Sequence, residues 1–283
     1  MCFNYKDRIH FLLYRLVGGV SMIIDAHMHI LFDKDWHSNS KKVFFDFIQN
    51  VIRKMKNNHI SGGILAQGIP LDLLDKVLMN FPNWFKGLLP IGNDMEFNKK
   101  NIEKFAKNPN IVGVKIYPNT FDNSEFIKSI QPILKQIEYL NWIIQIHSNP
   151  VVKSDIGIPL EIVELALKTD LPVVMVHSGG HQFQQLSSWI KHPPENLYFD
   201  TSAIQNIFED SPYLPQLKWL LNEIPSGHLF WGSDFPDYFF EDALKAFRKF
   251  NFDETRVKNI LSYNILEFLK KHTDTNLDIL KNE

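Results

Sequence analysis

The chain is poor in cysteine, with one residue, Cys2, among 283. No internal disulfide can form, and a reducing, cytoplasmic setting is the expectation. Long apolar runs are missing as well: none approaches the roughly 20 residues that cross a bilayer as a helix. Neither sign of charge is in excess, with 30 Lys and Arg against 32 Asp and Glu and a net charge of −2. The electrostatic footprint of a nucleic-acid or anionic-membrane binder is therefore absent. Internal repeats, low-complexity tracts and linker-like stretches are also lacking. These absences leave one domain that builds its own core and acts on a small-molecule substrate. With 23 Phe and 6 Trp there is apolar material for a homodimer surface too.

What is present is a series of short apolar, β-branched runs. They are "MIIDAH" from Met22, "ISGGILA" from Ile60, "FKGLLPI" from Phe85, "IVGVKIY" from Ile111, "WIIQIH" from Trp142, "PVVMVH" from Pro172, "NLYFDTS" from Asn196 and "HLFWGSD" from His228. Their starts lie 24 to 38 residues apart, roughly what one strand, one helix and two loops require. Segments of helical spacing lie between them, such as "SKKVFFDFIQNVIRKMKNN", "SEFIKSIQPILKQIEYL", "PLEIVELALKT" and "EDALKAFRKF". Strand then helix, eight times, predicts an α/β fold, a single (β/α)8 TIM barrel over residues 22–283. An open doubly wound sheet would place a Gly-rich phosphate turn after its first strand, where this chain has "DAHMHI". The last helical segment, "ETRVKNILSYNILEFLKKH", is expected to close the outer layer of helices, with "TDTNLDILKNE" as a loose tail. Residues 1–21 carry an apolar patch interrupted by Arg15 and do not read as a signal peptide; the expectation is an extension upstream of a true start at Met22.

In such a barrel the chemistry sits where the strands end. The first run ends at His27 and His29, the fourth passes through Lys115 to Tyr117, the fifth ends at His147, the sixth at His177 and the eighth at Asp234. If His27 points inward, period-two alternation points Asp25 and Ile23 inward as well. The same rule groups His147 with Gln145 and Ile143, and Asp234 with Gly232 and Phe230. One histidine at a strand end is an ordinary hydrogen-bonded residue, and His-x-His alone is a weak signal. Four histidines and an aspartate at four strand ends of one barrel point instead to a divalent metal, zinc first and manganese second, with a position open to water. His10, His37, His59, His192, His228 and His272 read as surface or structural residues, and His181 is left open.

Taken together, "IDAHMHI", "GVKIYP", "IHSNP", "VHSGG", "WGSDFP" and "YNILEF" resemble the successive motifs of the amidohydrolase superfamily. The closest likeness is to the amidohydrolase-related branch that includes 2-amino-3-carboxymuconate semialdehyde decarboxylase, and it runs from Ile24 to Phe268. The resemblance implies that His27, His29, His147 and Asp234 hold one metal ion. It also implies that His177 acts beside the ion as acid, base or polarising group, and that Asp234 accepts a proton from water. Some relatives bridge two metals with a carboxylated lysine; here that would be Lys115, with His147 and His177 on the second ion. The other reading of Lys115 is a partner for Asp25 or for a substrate carboxylate, since an unpaired buried ammonium is costly. Substrate contacts are expected from Lys115, Tyr117, Ser178 and Trp231, with Asn119 nearby.

The expected reaction is hydrolysis of a C–N or C–O bond, in an amide or lactone, by metal-activated water. Non-oxidative decarboxylation of a small unsaturated or aromatic carboxylate is the alternative. Arginine is scarce and occupies no predicted strand end, which favours hydrolysis. A DNase-like barrel would carry a ligating Glu after a middle strand, where "LLPIGND" has none. A catalytically silent barrel used for binding would have lost ligands, and all the expected ones are present. The loops "QGIP", "GNDMEF" and "TSAIQNIFED" are expected to shape the pocket.

Overall fold

The computed structural model describes residues 22–31, 41–121, 126–148 and 158–274. The extension expected over residues 1–21, the tail from residue 275 onward, and His10 and His37 lie outside them. Eight parallel strands form one sheet in sequence order: β1 (Ile23–His29), β2 (Ile60–Gln67), β3 (Phe85–Ile91), β4 (Ile111–Ile116), β5 (Ile143–His147), β6 (Val173–Val176), β7 (Leu197–Asp200) and β8 (Leu229–Phe230). Each pairs in parallel with the next. The ring closes beyond β8, where the chain runs on beside β1. There Ala26 N–H donates to Trp231 O at 2.9 Å, Asp234 N–H to His27 O at 2.9 Å and His29 N–H to Phe235 O at 2.6 Å.

The returning helices are α1 (Lys41–Asn57), α2 (Leu71–Asn80), α3 (Met95–Phe105), α4 (Phe126–Tyr139), α5 (Ile158–Lys168), α6 (Ile204–Phe208), α7 (Leu214–Glu223), α8 (Phe240–Arg248), α9 (Glu254–Lys258) and α10 (Asn264–His272). A 3-10 segment, His177–Ser188, follows β6, and a π turn, Asn259–Tyr263, joins α9 to α10. This is the predicted (β/α)8 barrel. No helix among the described residues is long and apolar enough to cross a membrane. Two of the expected pocket loops are partly helical. Asp94 of "GNDMEF" caps α3 by accepting from Phe97 N–H at 2.9 Å, and "TSAIQNIFED" contains α6.

The strands read as continuous apolar runs because both faces are covered. Outward residues such as Leu65, Leu89, Val114, Ile146, Met175 and Phe199 pack with helical Ile48, Leu78, Ile102, Ile133 and Ile162. Inward residues Ile24, Ile64, Leu88, Val112, Ile143, Val174, Tyr198 and Phe230 form a second cluster inside the barrel. Gly113 lets β4 approach β5: a Cβ there would lie 2.2 Å from the carbonyl oxygen of Ile143. The last helix departs from expectation. Its Ile265, Leu266, Phe268 and Leu269 join the inner cluster, so α10 covers the barrel end where the strands begin. The reason is its apolar face, which the inner residues at that end would otherwise leave open to water.

His272, at the end of α10, pairs its Nε2 with the Tyr198 hydroxyl at 2.9 Å. Burial, with the Lys271 charge next, lowers its pKa from the ordinary 6.5 to about 4. Between those values the unfolded chain binds a proton that the folded chain does not, so His272 contributes stability above pH 6.5 that is lost as pH falls toward 4. Urea midpoints across that window should therefore fall more steeply for the wild type than for His272→Gln; parallel curves would contradict this.

Candidate active site

The rim of the barrel is built from strand ends held in unusual backbone. His177, Ser178 and Asp234 have φ of 62°, 44° and 63°, the left-handed region, which costs a non-glycine residue about 1–3 kcal/mol. Gly232 admits β1 to this corner, since a Cβ there would stand 2.9 Å from His27 Cβ and 3.0 Å from Ser202 Cβ.

His27 is wholly buried, and its ring is oriented by Gln145. The Gln145 amide donates to Ala26 O at 2.9 Å, which turns its Oε1 to His27 Nδ1 at 3.1 Å. An amide oxygen only accepts, so Nδ1 carries the proton and Nε2 presents a lone pair. That Nε2 lies 3.1 Å from His29 Nε2 and 3.4 Å from Asp234 Oδ1, and His29 Nε2 lies 3.3 Å from the same oxygen. Ligand atoms around a tetrahedral ion with bonds of 2.0–2.1 Å stand about 3.3 Å apart. The three edges match that spacing. His177 faces the same point: ligand atoms of His27, His177 and Asp234 all lie within 4.8 Å of one another. The donor set, imidazole nitrogens with a carboxylate oxygen, thus fits a divalent cation.

Electrostatics agree with that reading. Burial would raise Asp234, but the imidazoles of His177, His27 and His29 gathered around it hold its carboxyl well below the usual range. Burial, with Lys115 next, lowers His27 to about 4, and burial likewise lowers His147 and His177. Neutral rings beside a carboxylate anion are the protonation states a metal needs.

The other expected residues fall on both sides of the line. His147 stands with its ring 4.9 Å from that of His177 and 5.1 Å from that of Tyr117. Lys115 is wholly buried; its Nζ lies 5.1 Å from the centre of the Tyr117 ring and has no hydrogen-bond partner among the described residues. Burial brings it down to about 7 against the pull of Asp200 and Asp234. Ser178 is placed otherwise than expected, its hydroxyl donating to Asp200 O at 2.5 Å. Trp231 is wholly buried in the outer core, behind the barrel wall, which keeps it from a substrate. Asn119 is exposed on a 3-10 turn, and His181 packs on Phe208 with ring centres 5.2 Å apart.

Asp25 corrects two expectations. It does not reach Lys115: its carboxylate accepts from His27 N–H at 3.1 Å, from Ser233 N–H at 2.9 Å and from the Ser233 hydroxyl. Nor does β1 alternate strictly. Between the pairs Asp25↔Gly63 and Met28↔Leu65, β1 advances three residues and β2 two, a bulge that shifts the facing of its side chains. Ile23 consequently packs in the outer core while Ile24 and Ala26 line the interior.

Residues 24–271 match the sequence profile of the amidohydrolase family. The chain belongs to that family. This amidohydrolase is an enzyme by that membership, and its fold is shared with solved structures of low sequence identity. A TIM-barrel protein from Bordetella bronchiseptica is 14% identical, with a TM-score of 0.70 over 89% of this chain and 99% of that one. The 5-carboxyvanillate decarboxylase of Sphingomonas paucimobilis is 15% identical, TM-score 0.64, over 88% and 99%. A dihydroxybenzoic acid decarboxylase from Polaromonas sp. JS666, with bound manganese and the inhibitor 2-nitroresorcinol, is 16% identical, TM-score 0.63, over 92% and 99%. No curated protein matches the sequence significantly.

Gln145, expected only as an inward neighbour of His147, and Asp200, Ser202 and Ser233, which the sequence pattern did not single out, hold the amidohydrolase's rim residues in place. The signal for Asp200 and Ser202 is the polar end of the seventh strand, "FDTS". Because Gln145 fixes the His27 ring, Gln145→Ala is expected to weaken divalent-metal binding by about 10–100-fold. Titration calorimetry with manganese measures it, and unchanged affinity would show that His27 needs no such anchor.

Proposed function

We propose that this enzyme is a metal-dependent, non-oxidative decarboxylase of a small unsaturated or aromatic carboxylate. The observation that carries the reading is Lys115, a buried cation at the end of β4 without a hydrogen-bond partner among the described residues. With its pKa brought down to about 7, Lys115 holds its charge best beside an anion, and it places a cation on a rim where no arginine stands at a predicted strand end. The decarboxylases of similar fold, which act on 5-carboxyvanillate and dihydroxybenzoate, support a carboxylate substrate.

We assign the metal to His27, His29 and Asp234, completed by His147, with zinc or manganese as the ion. A bound divalent ion supplies Lewis-acid polarisation of a substrate oxygen. The chain's own groups do the rest. Lys115 pairs with the substrate's negative charge and sets its depth, while the Tyr117 ring flanks it. The bond between carbon and carboxyl breaks, carbon dioxide leaves, and the electron pair stays on carbon. His177, neutral at rest, takes a proton from water at its bare Nε2 and hands it to that carbon; burial, which lowers its pKa, makes the imidazolium a ready donor. The second reading is hydrolysis of an amide or lactone that bears a carboxylate, favoured by the anionic Asp234 beside His177, where a proton from water can be taken.

Protein purified without chelator should carry about one equivalent of zinc or manganese by elemental analysis. In a panel of aromatic and unsaturated acids with carbon dioxide monitored, at least one should release it. Lys115→Met should lower kcat/KM about 100-fold by stranding the substrate's charge, and His177→Ala should retain the metal and lose most turnover. Opening of lactones or amides without carbon dioxide from any acid would transfer the assignment to hydrolysis.

A further inference from the structure

The Asp200 carboxylate, at the end of β7, takes no part in the chemistry described above, and is wholly buried. Its Oδ1 accepts from His177 N–H at 2.9 Å and from Ser202 N–H at 3.0 Å. Ser202 Oγ lies 2.5 Å from the same oxygen and 2.9 Å from His177 Nδ1, and Ser202 O lies 2.8 Å from that Nδ1. Two backbone N–H groups make Oδ1 an acceptor whatever the charge on Asp200, so the proton between Oδ1 and Ser202 Oγ is the serine's. With its hydrogen directed at Asp200, the hydroxyl can offer Nδ1 only a lone pair. The Ser202 carbonyl offers another. Nδ1 therefore has to carry the ring hydrogen and Nε2 is left bare, the nitrogen free to join the ligand atoms of His27 and Asp234.

We infer that Asp200 is a positioning residue that locks the tautomer of His177 through Ser202. Without Asp200 the serine hydroxyl is released, and it can rotate to donate to Nδ1, admitting a ring protonated at Nε2. Such a ring has no lone pair for a metal or a substrate proton. The lock acts on the ring whichever bond this enzyme breaks, so it stands apart from the decarboxylation reading. The second carboxylate oxygen, Oδ2, has no partner among the described residues, and Asp200 is the foremost opposite charge acting on Lys115. The same side chain thus acts on Lys115 by charge and on His177 by hydrogen bonding.

The test is nitrogen-15 NMR of histidine-labelled full-length protein, metal-free and at pH 8, with His177 assigned through the signal lost in His177→Gln. The wild type should show His177 only in the Nδ1–H form. Asp200→Ala should lose that exclusivity and gain an Nε2–H population, and adding Ser202→Ala should restore the single form, because the competing hydroxyl is gone. A wild-type ring protonated at Nε2 would overturn the inference. So would an Asp200→Ala spectrum that stays purely Nδ1–H, since the Ser202 carbonyl alone would then suffice. Should Asp200→Ala fail to fold, Asp200→Asn decides: its amide oxygen still accepts from Ser202, so the Nδ1–H form should persist, and its loss would equally refute the lock.

Discussion

Three backbone hydrogen bonds between β1 and the segment after β8 hold the site together. They run from Ala26 N–H to Trp231, from Asp234 N–H to His27, and from His29 N–H to Phe235. Without them Asp234 would not meet the His-x-His pair. The carboxylate of Asp25 reinforces the seam by taking both the N–H and the hydroxyl of Ser233, 208 residues away in sequence. That seam also explains how Asp234 keeps a left-handed backbone. Its N–H is bonded to His27 across the seam, so the residue cannot relax without opening the barrel.

A buried site of this kind concentrates opposing electrostatic demands. Burial lowers Lys115, His27, His147 and His177 and raises Asp25, each toward its neutral form. Asp234 moves the other way, because the imidazoles of His177, His27 and His29 around it outweigh its desolvation. The rim therefore carries a fixed anion at β8 and a cation at β4 whose charge is only weakly held. An incoming anion would stabilise the charged lysine, so anion binding and protonation of Lys115 would be coupled. Hydrophobic packing carries the stability elsewhere: the two apolar clusters, outside and inside the strand ring, enclose nearly every inward and outward position below the rim.

The fold was legible because parallel barrel strands, covered on both faces, announce themselves as short apolar runs at regular spacing. The rim histidines were legible for the same reason: they interrupt those runs at one end. Less legible was anything that depends on a one-residue shift. The bulge in β1 has no marker in "IIDAHMH", and it reverses the facing assigned to Asp25 and Ile23. The role of the last helix was hidden too. Its apolar face has the same periodicity whether it packs outside the ring or beneath it, and only the inner residues Tyr198 and Phe230 decide which. Ser178 and Trp231 lie at strand ends in sequence but face Asp200 and the outer core. Position along a strand does not specify direction where the strand turns into irregular backbone.

One feature of the rim joins these observations. His27 and His177 arrive from opposite sides of the ring, and each has Nδ1 held against oxygen: Gln145 for the first, Ser202 for the second. Oxygen on one nitrogen forces the lone pair onto the other. Both bare nitrogens then face Asp234, whose oxygens also carry only lone pairs, within 4.8 Å of one another. Converging electron pairs repel unless a positive charge stands between them. A protein that builds it twice over, with a wholly buried glutamine and a wholly buried aspartate spent on orientation, is shaped for a cation at the point where the pairs meet.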